Sequence, residues 1–271
     1  MRLGLIGCGS IGGAVVAAIE RGDLAGIELI GIADLTGMGG VKRAAAKVIC
    51  PVWTDIDPLL KLKPDLVLEA ASADAVRSCA AKVFESGSDL MIVSIGALAD
   101  AEFLERLIDL AKKTQRQLHV PSGAIGGLDI IKAAAVDGLE ECRLTTTKPP
   151  AAFGDVAYVR ERGIDLSKID RPTALFEGTA RQAAISFPQN LNVAVTISLA
   201  GLGVDKTTVR IVADPASVHN VHEVFLRGRF GEATVRLVNQ PSPYNPKSSY
   251  LTALSVIATL QRLGGRFQLG T

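Results

Sequence analysis

The residues Gly7-Cys8-Gly9-Ser10-Ile11-Gly12 form a GxGxxG run between an apolar stretch and a helical pattern. Each glycine has a distinct task in such a turn. The first bends the chain tightly, the second lets backbone approach a pyrophosphate, and the third lets the following helix pack close to the sheet. The helix start then presents unpaired N–H groups and a partial positive charge to phosphate. Asp34 ends the next apolar run, 22 positions after Gly12. A carboxylate there accepts hydrogen bonds from the adenosine ribose hydroxyls and repels a 2′-phosphate, which favours NAD over NADP. Gly7, Gly9, Ser10, Ile11, Gly12 and Asp34 are therefore the predicted cofactor-binding residues, with NAD as the cofactor. Lys42 and Arg43 lie downstream and would either meet a 2′-phosphate or stay solvated, so NADP remains open.

Three further segments carry residues that a plain core would not need. In Pro121-Ser122-Gly123-Ala124-Ile125-Gly126-Gly127, small residues allow backbone to approach a flat ring, or else form a hinge. Lys148 ends an alternating run and is followed by Pro149-Pro150, which stops the strand. A lysine held there can pair with a substrate carboxylate, though an ordinary surface lysine reads the same way. His219 and His222 are two of the 3 histidines, with His119 on a predicted strand. A metal would want a third ligand near the pair and none is evident, so no metal is expected. Acid–base work needs only one imidazole, and two structural histidines flanking a turn are the competing reading.

These groups need elements to hold them. Strands are predicted at 2–6, 28–33, 66–70, 90–94 and 117–120, with helices at 12–21, 74–86 and 100–115. Strands alternating with helices imply right-handed βαβ units and a parallel sheet. From residue 140 the pattern changes, with strands predicted at 140–148, 174–177, 207–213, 221–228 and 233–238 and a turn at 227–231. Helices are placed at 179–186 and from 190 to about 200, a mobile or exposed loop at 154–171, and a last helix from Pro246 to about Leu263. Adjacent strands without intervening helices suggest a mixed or antiparallel sheet. The predicted fold class is α/β, with an N-terminal Rossmann-type doubly wound parallel sheet and a second α+β domain. The expected division is 1–122 with 246–271 for the dinucleotide-binding domain. Residues 123–245 form the substrate-binding, catalytic and dimerisation domain.

Composition agrees with a globular chain. Hydrophobic residues are 48% and aromatics only 4%, so Val, Ile, Leu and Ala must do the packing, as suits a helix-covered parallel sheet. With 29 basic and 28 acidic residues and no basic stripe, no nucleic-acid partner is expected. The apolar runs are too short to span a membrane, so no membrane association is expected. Leu5-Ile6-Gly7-Cys8 resembles a lipoprotein cleavage box, but seven preceding residues are too few for a secretory signal. The scattered Cys8, Cys50, Cys79 and Cys142 suit free thiols in a reducing, cytoplasmic setting.

Taken together, these segments resemble the L-aspartate dehydrogenase family over nearly the whole chain. The resemblance rests on Gly7–Gly12, Pro121–Asp129, Thr147–Pro150, Phe176–Gly178 and Phe187–Ala194, and on Val212–Pro215, Asn220–His222 and Asn245–Ser249. It implies NAD(P)-dependent oxidative deamination of L-aspartate to iminoaspartate, which hydrolyses to oxaloacetate and ammonia, and a link to NAD biosynthesis. It also implies His222 as the catalytic histidine. Ala124 and one of Asn190 and Asn192 would lie at the nicotinamide half of the cofactor. A homodimer built through the second domain's sheet follows from the same resemblance, as does a C-terminal helix folded onto the Rossmann domain. Lys148, Ser248 and Ser249 are expected to hold the substrate carboxylates, with His222 accepting a proton from the amine or activating water. Competing expectations are a homoserine-dehydrogenase-like or dihydrodipicolinate-reductase-like oxidoreductase, and a non-catalytic NAD-binding sensor.

Overall fold

The computed structural model describes residues 1–36, 50–187, 191–243, 245–267 and 269. Lys42, Arg43 and Asn190 lie outside the described residues, and so do the side chains of Leu191, Pro246 and Lys247. The chain divides into two compact units. One comprises Met1–Gly123, Ser242–Asn245 and Thr252–Leu269, and the other is chiefly Ala124–Pro241 with Pro246–Leu251.

The first unit is built on a parallel sheet. Its strands are β1 (Arg2–Ile6), β2 (Glu28–Ala33), β3 (Val52–Trp53), β4 (Leu66–Glu69), β5 (Asp89–Ile92) and β6 (Leu118–His119). Their order is β3-β2-β1-β4-β5-β6, and every neighbouring pair is parallel. That is the Rossmann order, with its reversal beside β1. The strands are short apolar runs because both faces are covered: Leu3, Leu5, Ile32, Leu66, Leu68, Leu90, Met91 and Ile92 are all buried.

Helices α1 (Ser10–Glu20), α2 (Asp57–Lys61), α3 (Ala73–Glu85) and α4 (Ala101–Thr114) connect the strands. Local chemistry sets their ends. The Ser72 side chain accepts from the Ala75 N–H at the start of α3, and Asp100 accepts from Phe103 N–H at the start of α4. Helix α4 stops at Gln115, which takes the left-handed conformation with φ 55°. From the last helix of the chain, Val256 and Leu260 pack into the core made by β1, α1 and β2.

The second unit contains α5 (Leu128–Asp137), β7 (Leu139–Lys148), α6 (Ala157–Glu161), β8 (Thr173–Thr179), α7 (Ala180–Ser186) and α8 (Leu191–Ala200). It continues with β9 (Thr208–Ala213), β10 (Asn220–Gly228) and β11 (Gly231–Asn239). Its sheet runs β11-β10-β7-β9-β8, with β7 and β9 parallel and the other pairs antiparallel. This mixed sheet matches the expected second domain. Along β7 and β10, alternate residues Cys142, Leu144, Val224 and Leu226 enter the core, as period-two alternation requires.

Two stretches correct the sequence reading. Residues 154–171 are not simply an exposed loop, since they contain α6 and bury Val156 and Val159. Tyr158 joins an aromatic cluster there, with ring centroids 5.8 Å from Phe176 and 5.0 Å from Phe187. The polar residues around it masked one short apolar turn. The tail does not begin as a helix at Pro246 either. A short strand β12 (Pro241–Ser242) pairs with β13 (Asn245–Ser249), and helix α9 runs from Tyr250 to Gly264. Proline tolerates an edge strand as well as a first helical turn, so its position did not discriminate. Strand β3 and helices α2 and α5 were not anticipated, because two to ten residues with weak periodicity take their form from the surrounding packing.

Candidate functional site

Within the first unit, the loops at the carboxyl ends of β1, β2 and β4 enclose a cavity of about 1130 Å³. Gly7, Cys8, Gly9 and Ser10 line it, together with Asp34 and the Ala70–Ser72 segment. Gly7 has φ +81°, a conformation open to glycine. A side chain on Gly7 would run into Ala71, and one on Gly12 would run into the Gly7 carbonyl. Gly12 is thus the close-packing glycine of the helix. Gly9 is different: a side chain there would meet nothing within 4 Å, so the space above its backbone is open. Gly9 also caps α1 with no side-chain hydrogen bond. Open space over Gly9, an uncapped helix start and no acidic residue in the first turn suit a pyrophosphate. The residues present fit a dinucleotide.

Asp34 lines this cavity directly after β2. Its carboxylate accepts from Cys8 N–H at 2.7 Å, and from Thr36 N–H at 2.8 Å. The Thr36 hydroxyl donates to the same carboxylate. Ser10 Oγ lies 3.5 Å from Ser242 Oγ, Ile11 is half-buried, and both sit in the first turn of α1.

Glu69, at the end of β4, has no exposed surface. Its carboxylate accepts from Ala71 N–H (2.8 Å), Ser94 N–H (3.1 Å) and Ser94 Oγ–H (2.8 Å). Burial raises its pKa, and these donors work in the opposite direction. The residue braces the loops after β4 and β5. An isolated glutamate closing an apolar run carries no motif that would mark this role in the sequence.

A second polar group forms inside the other unit. The register between β7 and β10 pairs Thr146 with His222. Thr146 Oγ1 lies 3.0 Å from His222 Nδ1, and both residues are buried. Lys148 is two positions beyond Thr146 on β7 and so faces the same side of the sheet. Burial pushes the His222 pKa down to about 4, and the Lys148 ammonium pushes it the same way. The imidazole is therefore uncharged near neutrality. Lys148 is itself lowered by burial, and none of the described carboxylates pairs with it. A half-buried ammonium without a carboxylate partner is suited to binding an anion.

The remaining predicted residues are spread through the second unit. Ala124 is buried, and its carbonyl accepts from Asn239 Nδ2–H at 3.1 Å. Gly127 has φ +77° and caps α5, and a side chain on it would strike Val235. Close approach at Gly126 and Gly127 is thus to strand β11, a packing reason that the sequence reading did not consider. Asn192 is exposed in the first turn of α8. Ser248 and Ser249 close β13, Ser249 being buried. His219 precedes β10 and its Nδ1 is buried without a hydrogen-bond partner. Among the described residues no three of His, Cys, Asp and Glu gather as a metal site.

Comparison with known proteins decides the family. Residues 129–263 match the family model for the aspartate dehydrogenase C-terminal domain, and residues 7–121 match that for the homoserine dehydrogenase NAD-binding domain. The chain is 42% identical over 272 residues to the L-aspartate dehydrogenase of Methanosarcina acetivorans, and 43% identical to that of Methanosarcina mazei. Both alignments cover 100% of each chain. The chain belongs to the L-aspartate dehydrogenase family.

The crystal structure of aspartate dehydrogenase from Thermotoga maritima agrees with this, at 29% identity and a TM-score of 0.75 over 100% of this chain and 99% of that one. A dihydrodipicolinate reductase from Paenisporosarcina, at 16% identity and TM-score 0.52, shares the fold alone. In this L-aspartate dehydrogenase family member, the sequence reading missed Thr146 and Glu69 as supporting residues. Each becomes visible only when strand register or loop closure supplies its partner.

Proposed function

We propose that this chain catalyses the NAD(P)-dependent oxidative deamination of L-aspartate to iminoaspartate, which hydrolyses to oxaloacetate and ammonia. The reaction is reversible. The observation that carries this reading at the residue level is the group on one face of the β7–β10 pair, an uncharged buried His222 beside a Lys148 with no carboxylate partner among the described residues.

Bound NAD(P) supplies the acceptor for the hydrogen and electron pair that leave the substrate Cα. The protein's own part is to bind, orient and manage charge. Gly7, Gly9, Ser10, Ile11 and Gly12 hold the pyrophosphate against the start of α1, and Asp34 holds the ribose and disfavours a 2′-phosphate. Ala124 and an asparagine at the start of α8, Asn190 or Asn192, serve the nicotinamide half. Lys148 holds a substrate carboxylate, assisted by Ser248 and Ser249, and its charge selects a dicarboxylate over a neutral side chain. His222 acts at the reacting carbon through Nε2, the ring nitrogen not engaged by Thr146.

Residues 1–122 with the C-terminal segment serve the dinucleotide, and residues 123–245 serve the substrate and the subunit contact. A homodimer follows from the family, and a sedimentation mass of twice 28.4 kDa is its test. The three buried thiols, Cys8, Cys79 and Cys142, fit a reducing cytoplasm, and the product fits a supply of iminoaspartate to NAD biosynthesis. Among the described residues no helix is long and apolar enough to cross a membrane.

The test is absorbance at the NADH band with purified protein, NAD and L-aspartate, set beside D-aspartate, L-glutamate and L-homoserine. A rise with L-aspartate alone is expected. A rise with L-homoserine instead, or no rise with any of the amino acids despite NAD binding, would overturn the assignment.

A further inference from the structure

Thr146 and His222 come from strands 76 positions apart, yet their side chains meet in a buried contact of 3.0 Å. A neutral imidazole carries one N–H and one bare nitrogen, and whichever nitrogen is engaged by a neighbour determines what the other can offer. Thr146 has no exposed surface, and among the described residues its hydroxyl makes no hydrogen bond other than the one to Nδ1. If Nδ1 carried the proton, the threonine would accept it and its own hydroxyl hydrogen would be buried with no acceptor. Leaving a buried donor unpaired forfeits the full desolvation of that group. If Thr146 donates to a bare Nδ1, every hydrogen in the contact is used.

We propose that Thr146 is a positioning residue that donates its hydroxyl proton to Nδ1 and holds His222 in the Nε2–H form. His222 then meets the substrate as a hydrogen-bond donor and not as a base. Among the described residues Nε2 has no hydrogen-bond partner, and it is not fully buried, so an N–H there keeps access to solvent or substrate. An Nε2–H beside the Lys148 ammonium makes a pair of donors on one sheet face, which suits an acceptor-rich substrate. Lys148 binds a carboxylate, and Nε2–H polarises the oxygen on the reacting carbon, namely the keto oxygen of oxaloacetate or the carbinolamine hydroxyl that precedes it. A neutral imidazole held uncharged as an electrophile is a known catalytic device. Burial and the lysine charge support it here by keeping the ring from taking a second proton. The choice of oxygen rests on the aspartate dehydrogenase reading. The tautomer does not.

The experiment is two-bond ¹H–¹⁵N correlation on the full chain labelled at the imidazole nitrogens. With 3 histidines, His222→Gln assigns the signal. At pH 7, His222 should show a bare-type Nδ1 and a protonated-type Nε2. Thr146→Val, nearly isosteric, should lose this fixed pattern, while Thr146→Ser should keep it. With L-aspartate, Thr146→Val should lower kcat roughly 10- to 100-fold, less than loss of the imidazole itself, while the Kd for NAD stays within twofold. Thr146→Ser should recover most of the rate. A protonated-type Nδ1 in the wild type, or a Thr146→Val spectrum identical to wild type, would overturn the proposal. The predicted tautomer in a wild-type protein that does not oxidise aspartate would instead leave Thr146 in place and remove the functional reading.

Discussion

The Asp34 carboxylate accepts a hydrogen bond at 2.7 Å from the backbone N–H of Cys8, the residue between the first two glycines of the fingerprint turn. One side chain thereby ties the end of β2 to the loop after β1, at the point where the strand order reverses. The same carboxylate, held also by Thr36, lines the cavity. Replacing Asp34 by Ser should remove the repulsion of a 2′-phosphate. The ratio of kcat/KM for NADP to that for NAD should rise about 10- to 100-fold, the equivalent of roughly 1.4–2.8 kcal/mol. Initial-rate kinetics with both cofactors check this. An unchanged ratio would place cofactor choice elsewhere.

Glu69 offers a prediction about the loops that frame the same cavity. The carboxylate accepts from Ala71 N–H, Ser94 N–H and Ser94 Oγ–H, so the amide of Glu69→Gln would turn an NH₂ toward an N–H or hydroxyl donor. The variant should lose roughly 1–3 kcal/mol of stability and bind NAD more weakly. Urea unfolding and a fluorescence titration with NADH would measure both. A variant unchanged in both would show that the carboxylate does not brace the loops.

His222→Ala should leave NAD binding nearly intact and reduce aspartate turnover by roughly 10²–10⁴-fold. Near-normal turnover would remove His222 from the mechanism. Lys148→Met should raise the KM for aspartate, and it should also raise the pKa of His222 by taking away the neighbouring positive charge. Imidazole titration by NMR reads the second effect directly.

The pH dependence of stability follows from the same histidine. Its folded pKa, about 4, lies below the ordinary 6.5 because the ring is buried. Between these values the unfolded chain binds a proton that the folded chain does not. Stability from this group is therefore fully present above about pH 6.5 and is lost as pH falls toward 4. Urea unfolding at pH 5 and pH 7 should show a smaller difference in His222→Gln than in wild type. Equal differences would mean that the ring is not held neutral.

The thiols should be slow to react. Burial raises Cys8 to about 11, with the Asp34 charge adding to the effect, and raises Cys79 to about 12 and Cys142 to about 11. Only the thiolate is nucleophilic, so little of any of these reacts near neutral pH. Cys50 is half-buried and should be alkylated first. Mass spectrometry after timed iodoacetamide treatment of the native protein checks the order, and early labelling of Cys8 would contradict it.

The sequence by itself determined most of the first unit, β3 and α2 apart, because its signals are local. A glycine at φ +81°, an open second glycine and a helix-packing third glycine lie within six positions, and Asp34 follows at the end of one short strand. Apolar runs of four to six residues mark strands buried on both faces, and period-two alternation from residue 139 onward announces a sheet with one face in the core. Lys148 and His222 were legible as residue types in distinctive neighbourhoods. Their shared face was not, because nothing in the order of residues states that β10 lies beside β7 with His222 opposite Thr146. One step of register would turn every side chain of the strand to the other face. The same holds for Glu69, whose Ser94 partner comes from the next crossover, and for α5 and α6, whose short patterns acquire a buried side only from the sheet beneath them. Local backbone preference writes the turn and the strand. Long-range pairing alone decides which polar groups are buried together, and with them the charge state and hydrogen bonding of the histidine.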